Sequence, residues 1–174
     1  MKRNIFILII VVLFSSITLQ AQTNSANKQQ TKKSKSSLVV FVVGLENYQV
    51  SDYLTSLIGN ELARKGSYEI IPRTETVKRK LDELRKYEDD GHINDRELIE
   101  WGHQHNVSVL CLVQAVQLDE YLFSAQLTDV KSNTLIGSAE YIIPTISGSD
   151  LKKAASALAA QMKTKNTKDK KLNK

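Results

Sequence analysis

The sequence holds a single cysteine, Cys111, in 174 residues, so no disulfide can form within the chain. It also lacks a glycine-rich phosphate loop, a nucleophile elbow and paired helical carboxylates. These absences exclude the enzyme classes that such motifs identify. We therefore expect a protein that is not an enzyme and that uses no cofactor.

The few residues that could still carry chemistry are poorly placed for it. His103 and His105 are two apart near a predicted helix end, so they point to different sides, and His92 lies further away. A zinc site needs three or four convergent ligands. Cys111 lies inside an apolar strand pattern, which favours a buried and inert thiol over a nucleophile. The sequence predicts no metal site and no catalytic residue.

A group of acidic and amide side chains around Gly91 admits two interpretations. Asp89, Asp90, Asn94 and Asp95 supply oxygen atoms of the kind that calcium prefers. Their spacing does not match the twelve-residue calcium loop. The simpler interpretation is a turn between two helices, with the second helix capped at Asn94.

The positive charge lies at the two ends of the chain. The net charge is +5, but residues 1–37 carry +6 and residues 163–174 carry +5, which leaves −6 for residues 38–162. An acidic central region argues against a nucleic-acid-binding face. The basic ends could make weak electrostatic contact with anionic envelope polymers, although such runs are most simply solvated.

The first residues have the three-part pattern of a secretory signal peptide. Lys2 and Arg3 precede an unbroken apolar run at 5–14, and small or polar residues follow up to Ala21. We expect cleavage between Ala21 and Gln22, with a retained membrane anchor as the alternative. The protein is thus predicted to be exported to the periplasm. Association with the outer membrane would lack a lipid-attachment cysteine, since Cys111 is far from the cleavage site.

Composition divides the chain into four parts. Residues 1–21 are the predicted signal peptide, and residues 22–37 form a polar linker with too few apolar residues to order itself. Residues 38–162 are the predicted folded domain. Residues 163–174 are a lysine-rich tail that we expect to be disordered for the same reason as the linker.

The first half of the domain alternates strands with helices. The apolar run 38–43 predicts a strand buried on both faces, ending at Gly44. Ser51 predicts the N-cap of the first helix, and Thr74 that of the second, after a short strand at 68–71. The second helix has charged residues four apart, which predicts a solvated face: Lys78 with Asp82, Arg79 with Glu83, and Asp82 with Lys86.

The second half changes from helical to strand periodicity. Asn94 and Glu97 predict a capping box for a third helix, in which Gly102 indicates a close approach to the sheet. Three strand patterns follow at 107–117, 121–128 and 135–143, and then a helix that ends at Met162. The order β-α-β-α-α-β-β-β-α predicts an α/β (α+β) fold. We expect a mixed sheet with a C-terminal antiparallel three-stranded meander and helices packed on it.

Two stretches resemble the CsgG/LpoB-like (TolB amino-terminal-like) family of exported envelope proteins. Residues 86–116 are similar to its helix, glycine-bearing turn, helix and strand. Residues 123–141 are similar to its hairpin, with Asn133 where glycine is common. With the first strand included, the resemblance spans nearly the whole domain. The positions that match the family pattern are Gly44, Arg73, Gly91, Asp95, Gly102 and Asp129.

The resemblance implies a function without chemistry. The family's members are Gram-negative envelope proteins, among them a curli-secretion channel component and an outer-membrane activator of penicillin-binding proteins. A domain on a tether that binds a protein partner, a penicillin-binding protein, and regulates peptidoglycan synthesis is the leading hypothesis. The alternative is a structural or assembly subunit of an envelope secretion complex or a curli-type complex, which oligomerises through sheet edges. The oligomeric state stays open.

Overall fold

The computed structural model describes residues 35–64, 67–88 and 93–172. This part of the chain forms five strands and four helices in the predicted order, which confirms the fold class. The elements are β1 Ser36–Val43, α1 Tyr48–Arg64, β2 Tyr68–Ile70, α2 Glu75–Glu88, α3 Asp95–Gln104, β3 Val109–Gln117, β4 Tyr121–Asp129, β5 Thr134–Ile143 and α4 Gly148–Leu172.

The strands form one mixed sheet in the order β2-β1-β3-β4-β5. β1 runs parallel to both β2 and β3, while β3, β4 and β5 form the predicted antiparallel meander. Gly44 ends β1 with φ of 83°, and a Cβ there would lie 2.0 Å from the carbonyl oxygen of Ala115 on β3. Only glycine fits this position, because both the backbone conformation and the space exclude a side chain.

One face of the sheet is covered by α1 and α4. The larger apolar core lies here, and it includes Phe123 and Leu127 of β4. Leu54, Ile58 and Leu62 of α1 recur at helical spacing and are fully buried against it. α4 contributes the buried set that the sequence predicts: Leu151, Ala154, Ala155, Leu158 and Met162.

The opposite face is covered by α2 and α3, which contact β1 and β3 respectively. Val77, Leu81 and Leu84 form the predicted narrow apolar stripe of α2 and are buried. Gly102 of α3 lies close to the sheet, since a Cβ there would be 3.3 Å from the Leu110 side chain. Because β1 is the strand between the two helical layers, its residues 38–43 are buried on both faces as expected.

The predicted start of α1 was wrong. The helix begins at Tyr48, and the Asn47 side chain caps it by accepting hydrogen bonds from the backbone N–H groups of Gln49 and Val50. Ser51 lies one turn into the helix and is buried. Its hydroxyl donates to the Val42 carbonyl at 2.7 Å, so Ser51 ties α1 to β1 instead of capping the helix.

The predicted charge pairing on α2 was also wrong. Its ion pairs join residues three apart, namely Lys78 with Glu75, Lys80 with Glu83, and Arg85 with Asp82. The Lys80 and Arg85 side chains are only 9% and 14% exposed. This part of α2 is therefore not a fully solvated face, because the helix turns these two cations toward neighbouring elements.

α4 continues to Leu172, ten residues beyond the predicted end at Met162. The backbone of 163–172 is therefore helical, whereas the sequence predicted a disordered tail from residue 163. No glycine or proline occurs in 149–174 to stop the helix, and lysine is a good helix former. Polar composition shows that a segment contributes little to a core, but composition alone does not end a helix.

Candidate functional site

The described residues form a strongly charged cleft between α1 and α2. It encloses about 500 Å³ and opens to solvent. The lining consists of one aromatic ring, one leucine and six ionisable side chains: Tyr48, Leu81, Asp52, Asp82, Arg73, Lys78, Arg85 and Lys86. We call this surface the α1–α2 cleft.

Arg85, near the end of α2, contacts residues on both sides of the cleft. Its guanidinium stacks over the Tyr48 ring at 4.1 Å from the centroid. It donates to the Ser51 hydroxyl at 3.3 Å and to the Asp82 carboxylate at 3.4 Å. Ser51 is itself bonded to β1, so Arg85 is fixed through one hydroxyl to the sheet. A guanidinium held in this way keeps its orientation, which lowers the entropy cost of binding an anion.

Asp52 joins the two arginines of the cleft. Its carboxylate forms an ion pair with Arg73, and it lies 4.0 Å from the Arg85 guanidinium. Arg73, in the loop between β2 and α2, also donates to the Thr55 hydroxyl at 3.1 Å. The position of Asp52 in the second turn of α1 brings helix, loop and helix together at one carboxylate. The two arginines thus already hold one anionic group.

The cleft has the opposite charge to the domain around it. It is lined by four cations and two carboxylates, whereas residues 38–162 carry a net charge of −6. Lys78 and Lys86 are exposed, while Arg73 and Arg85 are partly buried. Charge that is concentrated in a concave surface attracts oppositely charged partners more strongly than scattered charge does. This arrangement can bind carboxylate or phosphate groups.

Of the predicted family positions that the structure describes, only Arg73 lies in the cleft. Gly44 and Gly102 are the two close-approach positions described above, and Asp95 is exposed in the first turn of α3. Gly91 and the signal-cleavage residues Ala21 and Gln22 lie outside the described residues. The predicted positions that the structure describes are therefore not brought together into one site, and their family role stays a prediction.

Asp129 stabilises the turn between β4 and β5. Its carboxylate accepts hydrogen bonds from the backbone N–H and the hydroxyl of Ser132, each at 2.8 Å. These bonds favour the ionised form and lower the pKa of Asp129. Asn133 follows with φ of 50°, the left-handed conformation that the sequence suggested at this position.

The other candidate chemical groups lie apart from the cleft. Cys111 is fully buried on β3, and burial raises the pKa of its thiol to about 12. His103 and His105 are exposed at the end of α3, where the His105 ring lies 4.8 Å from the Trp101 ring. His92 lies outside the described residues. Within the described ranges, no three histidine, cysteine, aspartate or glutamate side chains are grouped for a metal ion.

A second surface of interest is the part of the sheet that α2 and α3 leave uncovered. Val116, Leu122 and Ile142 lie directly opposite one another across β3, β4 and β5. Val116 and Ile142 are about half exposed, and Leu118 in the adjacent turn is 72% exposed. No helix of the described residues contacts β4 or β5 on this face. We call this surface the open sheet face.

Sequence reasoning missed the cleft because its residues come from three separate segments. Tyr48 and Asp52 belong to α1, Arg73 to a loop and Arg85 to α2. The only sequence signal was the pattern of charges on α2, which local spacing explains as a solvated face. Burial of Arg85 depends on where α1 packs, and no local pattern encodes that contact.

In the part of the chain that the structure covers, no helix has the length and apolar character needed to cross a membrane. This finding concerns only the described residues.

Comparisons with known proteins give likeness at the level of structure alone. No protein-family model and no curated protein matches the chain. Among solved structures, the chain is similar to TolB from Acinetobacter baumannii (12% identity, TM-score 0.47), covering 70% of this chain but only 26% of TolB. It is similar to the PelC dodecamer from Paraburkholderia phytofirmans (18% identity, TM-score 0.43), covering 76% of this chain and 86% of that one. The LpoB C-terminal domain from Escherichia coli is also similar (16% identity, TM-score 0.46), with 63% and 83% covered.

Proposed function

We propose that this chain is an exported envelope protein, not an enzyme, that binds a protein partner. The partner is a penicillin-binding protein, and binding regulates peptidoglycan synthesis. The proposal combines the signal-peptide pattern, the polar linker and the family resemblance of residues 86–116 and 123–141. The same proposal includes the signal peptide, the polar linker, the domain limits at 38 and 162, and the positions that match the family pattern.

The observation that carries partner binding is the composition of the α1–α2 cleft. Tyrosine and arginine are enriched among the residues that dominate binding energy at protein interfaces. Here Tyr48 is 61% exposed and stacks on Arg85. A partner that covers this pair would bury an aromatic ring and a pre-oriented guanidinium together. Both would contribute affinity at little ordering cost.

The test is recovery of a defined partner followed by an activity assay. The full chain, immobilised, is incubated with envelope extract, and bifunctional penicillin-binding proteins are sought in the eluate. The recovered synthase is then assayed for glycan polymerisation with and without the chain. We expect recovery of the synthase and faster polymerisation. Absence of the synthase from the eluate, or an unchanged rate when it is present, contradicts the proposal.

The open sheet face favours a second candidate function, an assembly subunit of an envelope complex. Exposed apolar side chains beside an edge strand are typical of surfaces that pair with another copy. β5 is such an edge strand, with ten residues. Sedimentation of the full chain separates the two functions. A defined ring or large oligomer that Ile142→Ser disrupts supports assembly, and a monomer at all concentrations argues against it.

A further inference from the structure

The α1–α2 cleft is a positively charged surface on a negatively charged domain. Two guanidinium groups are held at its base, and the Lys78 and Lys86 side chains lie exposed at its rim. An acidic domain repels acidic partners in general. An acidic partner can approach favourably at the cleft. The positive charge of the cleft therefore indicates that the partner carries negative charge and where it makes contact.

The contacts inside the cleft show which anionic group fits. Asp52 forms an ion pair with Arg73 and lies 4.0 Å from Arg85. A carboxylate is therefore already accommodated between the two arginines. Each guanidinium has five N–H donors. The contacts of Arg85 with Ser51, Asp82 and Asp52 involve its two terminal nitrogens, which leaves donor capacity for a further carboxylate oxygen.

We propose that the α1–α2 cleft binds an acidic segment of the partner polypeptide, with a glutamate or aspartate side chain entering beside Arg85 and Tyr48. Further carboxylates of the segment contact Lys78 and Lys86 at the rim. This inference rests on the proposed function, since it identifies the chemistry of that protein partner.

An acidic peptide segment suits the cleft better than a single phosphate does. A peptide spreads its carboxylates along the chain, so that one lies beside Arg85 and Tyr48 while others reach Lys78 and Lys86 at the rim. A single phosphate concentrates its charge at one point.

The first test uses the isotope-labelled full chain and three probes followed by NMR. The probes are the capped peptide acetyl-Gly-Glu-Glu-Gly-Glu-Glu-Gly-amide, its counterpart with glutamine for glutamate, and inorganic phosphate. We expect the glutamate peptide to shift the amide signals of residues 48–55 and 78–86, and the glutamine peptide to leave them in place. Equal shifts from both peptides, shifts elsewhere, or shifts from phosphate alone overturn the proposal.

The second test removes the rim charges, which leaves the arginine contacts intact. The double variant Lys78→Gln with Lys86→Gln should weaken the peptide's affinity about tenfold, at roughly threefold for each exposed charge. The matched control is Lys131→Gln with Lys152→Gln, which makes the same change in net charge at exposed positions outside the cleft. If both double variants weaken the peptide's affinity equally, only the overall charge of the protein matters, and the proposed site is wrong.

The same variants separate this inference from the proposed function. If the synthase binds the rim variant and the wild-type chain equally well, the cleft proposal fails while the proposed function stands. If the glutamate peptide binds at the cleft but no synthase is recovered, the proposed function fails while the site stands.

Discussion

Helices cover the two faces of the sheet to different extents. Among the described residues, α1 and α4 contact β1, β2, β4 and β5 on one face, while α2 and α3 contact only β1 and β3 on the other. Neighbouring residues of β5 show the difference directly. Ile143 is 2% exposed on the first face, and Ile142 is 54% exposed on the second. One face is therefore covered as far as β5, and the other leaves apolar side chains of β3 and β5 exposed.

The charged cleft belongs to neither face alone. The α1–α2 cleft lies at the border between the two helical layers, because α1 covers one face and α2 the other. Arg85 reaches from α2 to Ser51 of α1 and so connects the layers. Arg85 therefore belongs both to the proposed partner site and to the contact between the two helical layers.

The largest effect should come from shortening matched isoleucines on the two faces. Ile143→Ala should lower the free energy of unfolding by about 3 kcal/mol, because it leaves a cavity in the covered core. Ile142→Ala should change it by less than about 0.5 kcal/mol. Urea unfolding of the full chain measures both. Equal losses would contradict the division between a covered and an open face.

Adding a methyl group at a glycine on each face gives a smaller contrast. A Cβ at Gly137 would lie 2.8 Å from the backbone carbonyl oxygen of Met162 in α4, so Gly137→Ala should cost about 2 kcal/mol. At Gly102 the nearest atom is a Val130 methyl at 3.0 Å, and alanine favours the helix by about 1 kcal/mol. Gly102→Ala should therefore cost less. Thermal unfolding of the two variants measures the difference. A larger loss of stability for Gly102→Ala than for Gly137→Ala would contradict the tighter backbone contact at Gly137.

Replacing the arginine that connects the layers should cost less again. Arg85→Gln should lower the free energy of unfolding by about 1 to 2 kcal/mol, because it removes hydrogen bonds of a largely buried guanidinium. The matched control is Arg96→Gln on α3, whose ion pair with Glu100 is exposed. It should change the free energy of unfolding by less than about 0.5 kcal/mol. Similar values for the two variants would mean that Arg85 does not connect the layers.

The smallest expected effect concerns the turn at Asp129. Because its pKa is lowered in the folded state, the ionised carboxylate stabilises the fold above the unfolded pKa of about 4 and loses this effect as pH falls. Asp129→Asn should cost less than about 1 kcal/mol at pH 7. The difference in the free energy of unfolding between the variant and the wild-type chain should be smaller at pH 3 than at pH 7. Urea titrations at the two pH values measure it. A constant difference would contradict the role of the charge.

Local pattern predicted most of the fold, and long-range contacts account for what it missed. The strand at 38–43, the stripe of α2 and the Asn94 cap follow from periodicity and capping chemistry, and all three are present. Ser51 was misassigned because a serine followed by an aspartate has the local signature of an N-cap. Its bond to Val42 depends on where α1 meets β1.

The cleft could not be predicted for the same reason. Arg85 was one charge among many on α2, and only the packing of α1 places Tyr48 and Asp52 beside it. The extent of α4 was missed because polarity was taken as a sign of disorder, although lysine-rich sequences also form helices.

Hydrogen–deuterium exchange of the full chain, with and without a purified bifunctional penicillin-binding protein, tests the central claim most directly. The account predicts slower exchange at residues 48–55 and 78–86 on addition of the synthase, and unchanged exchange at β5. Protection of β5 alone would assign partner binding to the open sheet face. Unchanged exchange throughout the chain would contradict binding to the synthase itself.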